Sequence, residues 1–175
     1  MNIFKKISLL VLPSLLIAAT LVNNSCSVHY GFKDISIPDS IRTVKVVYIE
    51  NKATYINPQL SPQLTDKLRQ KIVSQTRLKQ TNGDNADWEI SGTITDYSFS
   101  TSGISNQQTS TSRITVAVHM TLNKVKDDKV EEYDVSRNFD FPSSQSLQQA
   151  ESSLMSEMIR GLTDDIFNRL FSNWQ

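Results

Sequence analysis

A single cysteine, Cys26, rules out a disulfide within the chain, so stability has to come from packing alone. Only two histidines are present, His29 and His119, and neither has a partner at ligand spacing, which argues against a zinc site. The five glycines, Gly31, Gly83, Gly92, Gly103 and Gly161, form no phosphate loop, and no HExxH, CxxC, GxSxG or Walker pattern occurs. The acidic doublets Asp127-Asp128 and Asp164-Asp165 read as a turn tip and a solvated helix face rather than as acid–base pairs. Trp88, Phe139 and Phe141 read as core. The chain is therefore expected to be no enzyme and to carry neither metal nor cofactor. Net charge is also missing, with 18 basic against 18 acidic residues, and a nucleic-acid partner would need a basic domain.

Long apolar runs are absent except at the start. Lys5 and Lys6 precede a mostly apolar stretch over residues 7–22 that contains Pro13, and Ser25 is the small residue before Cys26. A transmembrane helix needs about 20 apolar residues, so this shorter, proline-broken run reads as a signal peptide. Ending on the lone cysteine, it reads as a bacterial lipoprotein leader, although Asn23 and Asn24 stand where the usual lipobox has Leu and small residues. Its position argues against a buried thiol or a catalytic nucleophile. The expected organisation is a signal peptide over residues 1–25, lipidation at Cys26, a tether over 26–42 and one domain over 43–175. Multiple acyl chains give stable anchoring where one does not. Removing the leader leaves 16 basic against 18 acidic residues.

The rest of the chain reads as β-α-β-β-β-α. Residues 43–49 (TVKVVYI) are β-branched and aromatic and predict a strand. Residues 61–77 predict a helix, with Ser61 as cap, Pro62 in the first turn, and Leu64, Leu68 and Ile72 at four-residue spacing. Residues 88–99 predict a strand in which Tyr97 and Phe99 fall out of phase with Trp88, Ile90, Gly92 and Ile94, implying a bulge near Asp96. Residues 98–112 are rich in Ser, Thr, Gln and Asn and read as a mobile loop. Residues 113–123 and 132–141 alternate cleanly and predict a hairpin around a turn at 124–129. Residues 146–173 predict a long helix with one apolar stripe, or two shorter helices broken at Gly161. The expected fold is α+β: a mostly antiparallel sheet of about four strands with both helices on one face. The other face would carry Arg113, His119 and threonines into water or against a partner.

Taken in order and spacing, residues 30–38 (YGFKDISIP), 43–49, 57–78 (NPQLSPQLTDKLRQKIVSQTRL), 86–97 (ADWEISGTITDY), 112–124 (SRITVAVHMTLNK) and 164–174 (DDIFNRLFSNW) resemble the LptE family of lipopolysaccharide-assembly lipoproteins. The resemblance implies an outer-membrane lipoprotein that plugs the lumen of an LptD-type β-barrel, helps that barrel assemble and helps deliver lipopolysaccharide, which the family also binds. For anionic sugar-phosphate, the candidate contacts are Lys124, Lys126 and Lys129 at one hairpin tip and Arg113 at the far end of that strand. A strand, an SxxLTxxL-like helix and a strand ending in G-x-I also occur in accessory lipoproteins of secretion pores, transporters and cell-wall synthases, which would bring different partners.

Overall fold

The computed structural model describes residues 37–105 and 108–172. The leader, Cys26 and the tether up to residue 36 lie outside the described residues, as do residues 173–175. Six strands and two long helices follow in order: β1 Thr43–Val46, β2 Glu50–Asn51, α1 Leu60–Gln75, β3 Lys79–Gln80, β4 Trp88–Ser105, β5 Gln108–Lys124, β6 Lys129–Pro142 and α2 Leu147–Phe171. The sheet runs β3-β1-β4-β5-β6, with β2 also on β4. Pairing is parallel among β1, β2, β3 and β4 and antiparallel from β4 through β6. The expected α+β class therefore holds. The two-residue strands β2 and β3 bring the sheet to six.

One face of this sheet is apolar. Alternation puts Trp88, Ile90 and Ile94 of β4, Ile114, Val116, Val118, Met120 and Leu122 of β5, and Val135, Phe139 and Phe141 of β6 on the same side, all buried. Gly92 belongs to this side because a Cβ there would lie 2.5 Å from the Met120 sulfur. Against it pack Leu60, Leu64, Leu68 and Ile72 of α1, and Ala150, Met158, Leu162, Ile166 and Phe167 of α2, in one continuous core. Each fully buried aliphatic side chain contributes about 2 kcal/mol. The predicted bulge is present: Ile94 pairs with Val118 and Asp96 with Ala117, leaving Thr95 extra. That added residue rotates the strand by one position and turns Tyr97 inward.

Three features differ from the sequence reading, and a fourth decides between its alternatives. The strand expected over residues 43–49 breaks after Val46, because α1 takes over its backbone partners. Arg69 donates to the Val46 carbonyl at 2.9 and 3.3 Å, and the Ile49 N–H goes to Thr65 Oγ1 at 3.0 Å. Ser61 does not cap α1. The helix begins one residue earlier, Asn57 Oδ1 accepts from the Gln59 N–H at 3.0 Å, and Ser61 is buried inside the first turn. The Ser/Thr-rich segment is not a loop over most of its length. β4 and β5 stay in register from Ser98↔Thr115 out to Ser105↔Gln108, with two further irregularities at Gly103. Threonine is a good strand former, and a polar ribbon needs no buried face to pair. The long-helix reading of the C-terminal segment holds: α2 is continuous through Gly161. A Cβ at that position would lie 2.6 Å from Arg137 Nε, so the glycine makes room for a side chain crossing from β6.

Candidate functional site

The face of the sheet turned from the helices is polar throughout its middle. Across β4, β5 and β6 its rows read Ser91–Thr121–Glu132, Thr93–His119–Asp134, Asp96–Ala117–Ser136, Ser98–Thr115–Asn138 and Ser100–Arg113–Asp140. Ala117 is the only apolar residue in them. Directly opposed pairs hold the side chains down. Arg113 donates to both Asp140 oxygens, at 2.6 and 2.9 Å; Thr115 donates to Asn138 Oδ1 at 2.9 Å; and His119 Nδ1 lies 2.8 Å from Asp134. The hydrogen bond to Asp140 raises the Arg113 pKa above its ordinary value. The result is a surface of hydrogen-bond donors and acceptors with one alanine in it.

The three tip lysines come together, but as members of ion pairs. A short 3-10 turn, Val125–Asp127, and Asp128 in the left-handed region close the β5–β6 hairpin. Lys124 and Lys129 face each other across it and share Glu131 Oε1, at 2.7 and 2.8 Å. Tyr133 donates to the other Glu131 oxygen at 2.7 Å. Burial resists ionisation of Glu131, yet the bonds from Lys124, Lys129 and Tyr133 overcome it and hold that carboxyl down at about 2. Burial and the bond to Glu131 push Tyr133 up to about 12. Lys124 also sits over the Trp88 ring, 5.6 Å from its centre.

Lys126 turns instead to Asp87, at 2.7 Å, and to the Ser40 carbonyl at 2.9 Å. Asp87 further accepts from the Arg42 and Thr43 N–H groups at 2.7 and 2.9 Å. The bond from Lys126, then these two, hold its carboxyl well below the usual range. Arg113 does not join the tip. It lies on the opposite face, eleven residues back along β5 from Lys124, about 35 Å away at strand rise.

The acidic doublet on α2 is half-exposed and ion-paired. Asp164 pairs with Lys71 of α1 at 2.6 Å and Asp165 with Arg137 of β6 at 2.8 Å, tying the helix to both neighbours. A further cluster escaped the sequence reading. Glu151, buried on the second turn of α2, accepts from Tyr97 at 2.8 Å, Asn57 at 3.1 Å and Tyr55 at 3.2 Å. The inward turn of Tyr97 at the bulge was its one sequence signal. Burial, then Glu151, raise the pKa of both tyrosines. Among the described residues no group of three or more metal-ligating side chains is gathered, and no helix is long and apolar enough to cross a membrane.

The described residues form a small α+β domain with a helix-covered core and one polar sheet face. The model of the LptE family, described as lipopolysaccharide-assembly, matches residues 41–170, and the chain belongs to that family. Solved structures share the fold at low identity. The hypothetical protein CT253 from Chlamydia trachomatis is 9% identical, with 74% of this chain and 95% of that one covered at a TM-score of 0.54. A minor lipoprotein from Acinetobacter baumannii is 13% identical, with 75% and 93% covered at a TM-score of 0.50. No curated protein matches the sequence significantly.

Proposed function

We propose that this member of the lipopolysaccharide-assembly family is an outer-membrane lipoprotein that plugs and helps assemble an LptD-type β-barrel, and helps deliver lipopolysaccharide to the outer leaflet. In this reading residues 1–25 are removed, Cys26 is acylated, residues 26–42 are the tether and the body over 43–175 sits in the barrel lumen. The observation that carries it is the open sheet face. Its rows from Ser91–Thr121–Glu132 to Ser100–Arg113–Asp140 offer hydrogen-bonding groups and one alanine, and the interior wall of such a barrel is polar. Lys124, Lys126 and Lys129 are the proposed contacts for sugar-phosphate, with Arg113 as a separate one on the other face. To bind phosphate, Lys124 and Lys129 would have to exchange Glu131 for it.

The test is purification of the tagged lipoprotein from its native envelope in mild detergent, with mass spectrometry of what accompanies it. A photo-crosslinking residue at Thr115 or Thr121 should then join the body to the same barrel, while one at Val73, exposed on α1, should join it far less. Recovery of a secretion pore, a transporter or a cell-wall synthase in place of a large β-barrel would overturn the reading. Lipidation is checked separately: Cys26→Ala should remove the acyl mass from the mature protein and release it from membranes.

A further inference from the structure

Among the described residues two carboxylates are buried, Asp87 and Glu151, and Glu131 is partly buried; two of these three have a lysine. Asp87 has Lys126; Glu131 has Lys124 and Lys129. Glu151 is the exception. Among the described residues no Lys, Arg or His stands within ion-pair distance of it, and its bonds come from two phenols and an amide, all neutral donors. A buried carboxylate is ordinarily matched by a cation. Its two oxygens are unequally served. Oε1 takes Tyr97 and Asn57, whereas Oε2 takes only Tyr55, at the longest of the three distances, from a ring that is 39% exposed.

Glu151 also lines a pocket of about 270 Å³ between the turn at Asn57–Gln59 and the first turns of α2. The other lining residues are Asn57, Pro58, Gln59, Gln148, Ser152 and Met155, and among the described residues no cationic side chain lines it. A phosphate or carboxylate would meet Glu151 with nothing to offset the repulsion. An ammonium would find one charged and several neutral oxygen acceptors for its three N–H donors. At about 30 Å³ per water, the pocket has room for about nine water-sized groups, enough for a short aliphatic amine.

From this we infer that the pocket is a binding site for a primary ammonium group on a short aliphatic arm, with Glu151 as its counter-ion. The chemistry is shared by a lysine side chain of a partner protein and by an amino headgroup. It is independent of whether the body fills a barrel.

The experiment is NMR titration of the purified, 15N-labelled full-length chain in detergent with n-butylammonium chloride, following the side-chain amides of Asn57, Gln59 and Gln148. Sodium chloride at equal ionic strength and 1-butanol serve as controls. The expected result is a saturable shift confined to the pocket, with Kd of about 1–30 mM, as befits a five-heavy-atom probe. Glu151→Gln should weaken it by about tenfold or more. Tyr55→Phe, which removes the one donor to Oε2 among the described residues, should tighten it by about two- to fivefold. Tighter binding of Nα-acetyl-lysine methylamide than of ethanolamine would support the proposal with a protein lysine as source; the reverse order would support it with a headgroup. No saturable shift with any of the amines, or an equal shift with 1-butanol, would overturn it. If Glu151→Gln proves unfolded, the Tyr55→Phe comparison decides: unchanged or weaker amine binding there removes Glu151 as the counter-ion.

Discussion

Replacing the tip lysines one at a time separates a structural role from a binding role, because the three are embedded to different depths. The Lys124 side chain is 21% exposed and that of its partner Glu131 is 19% exposed, whereas Lys129 on the same oxygen is 63% exposed. Lys124→Ala loses a partly buried ion pair, the contact with the Trp88 ring and the packing of its methylenes, for about 2 kcal/mol. Lys129→Ala loses a solvent-screened pair and should leave the midpoint almost unmoved. Lys126 falls between, at about 1 kcal/mol, because Asp87 keeps its two backbone donors when the lysine is gone. Urea unfolding at neutral pH, read as the midpoint at constant slope, gives the three values directly. A Lys129→Ala cost equal to that of Lys124→Ala, or a neutral Lys124→Ala, would refute the ranking. For lipopolysaccharide contact, Lys129→Ala is the clean variant: it should weaken binding without moving the midpoint. The triple alanine variant with unchanged binding would remove the tip from the proposed site.

Other expectations follow from the same contacts. Gly161→Ala gains about 1 kcal/mol of helix propensity but displaces Arg137 from a half-exposed pair with Asp165, so its net effect in urea should be near zero. In an Arg137→Ala background the same change should stabilise by about 1 kcal/mol, and a double-mutant cycle showing no coupling would contradict the geometry. Ser146 forms a capping box with Gln149 at the start of α2, and Ser146→Ala should cost about 1 kcal/mol, with Ser146→Gly closer to neutral. Glu131 titrates at about 2 in the folded state against an ordinary 4.5. A depressed folded pKa stabilises above the unfolded value and is lost as pH falls through the folded one. Stability should therefore drop by about 1–3 kcal/mol as pH falls from roughly 4.5 to 2, and Glu131→Gln should flatten that drop in acid titrations followed by circular dichroism.

The parts of the fold legible in the sequence are those where burial enforces a period. Residues 113–123 and 132–141 alternate because one face meets the helices, and the structure pairs them from Arg113↔Asp140 to Asn123↔Val130 without a slip. The bulge at Thr95 was legible for the same reason: two aromatics fell out of phase with the residues before them. Legibility fails where that constraint is missing. The sequence beyond Phe99 is nearly all polar, so it reads as a loop although its backbone is paired. The break after Val46 was hidden because its cause lies in Arg69 and Thr65, on a helix that starts fourteen residues later.

The site divides along the same line. The polar sheet face could be read in advance, since it is the complement of the buried one. The state of the lysines could not, because their partners are set by topology. Asp87 reaches Lys126 only through the long β4–β5 hairpin, and Glu131 meets Lys124 through a left-handed Asp128. Local charge counting sees three cations at a turn, whereas the fold returns a nearly neutral cluster. The inverse error occurs at Glu151. In sequence it is one acid among polar residues at a helix start, yet among the described residues the fold brings Tyr55, Asn57 and Tyr97 to it and no cation. Charge matched by the fold marks structure, and charge left unmatched marks where a partner's charge belongs. By that criterion Glu151, rather than the lysine-rich tip, is the position from which to look for the next ligand.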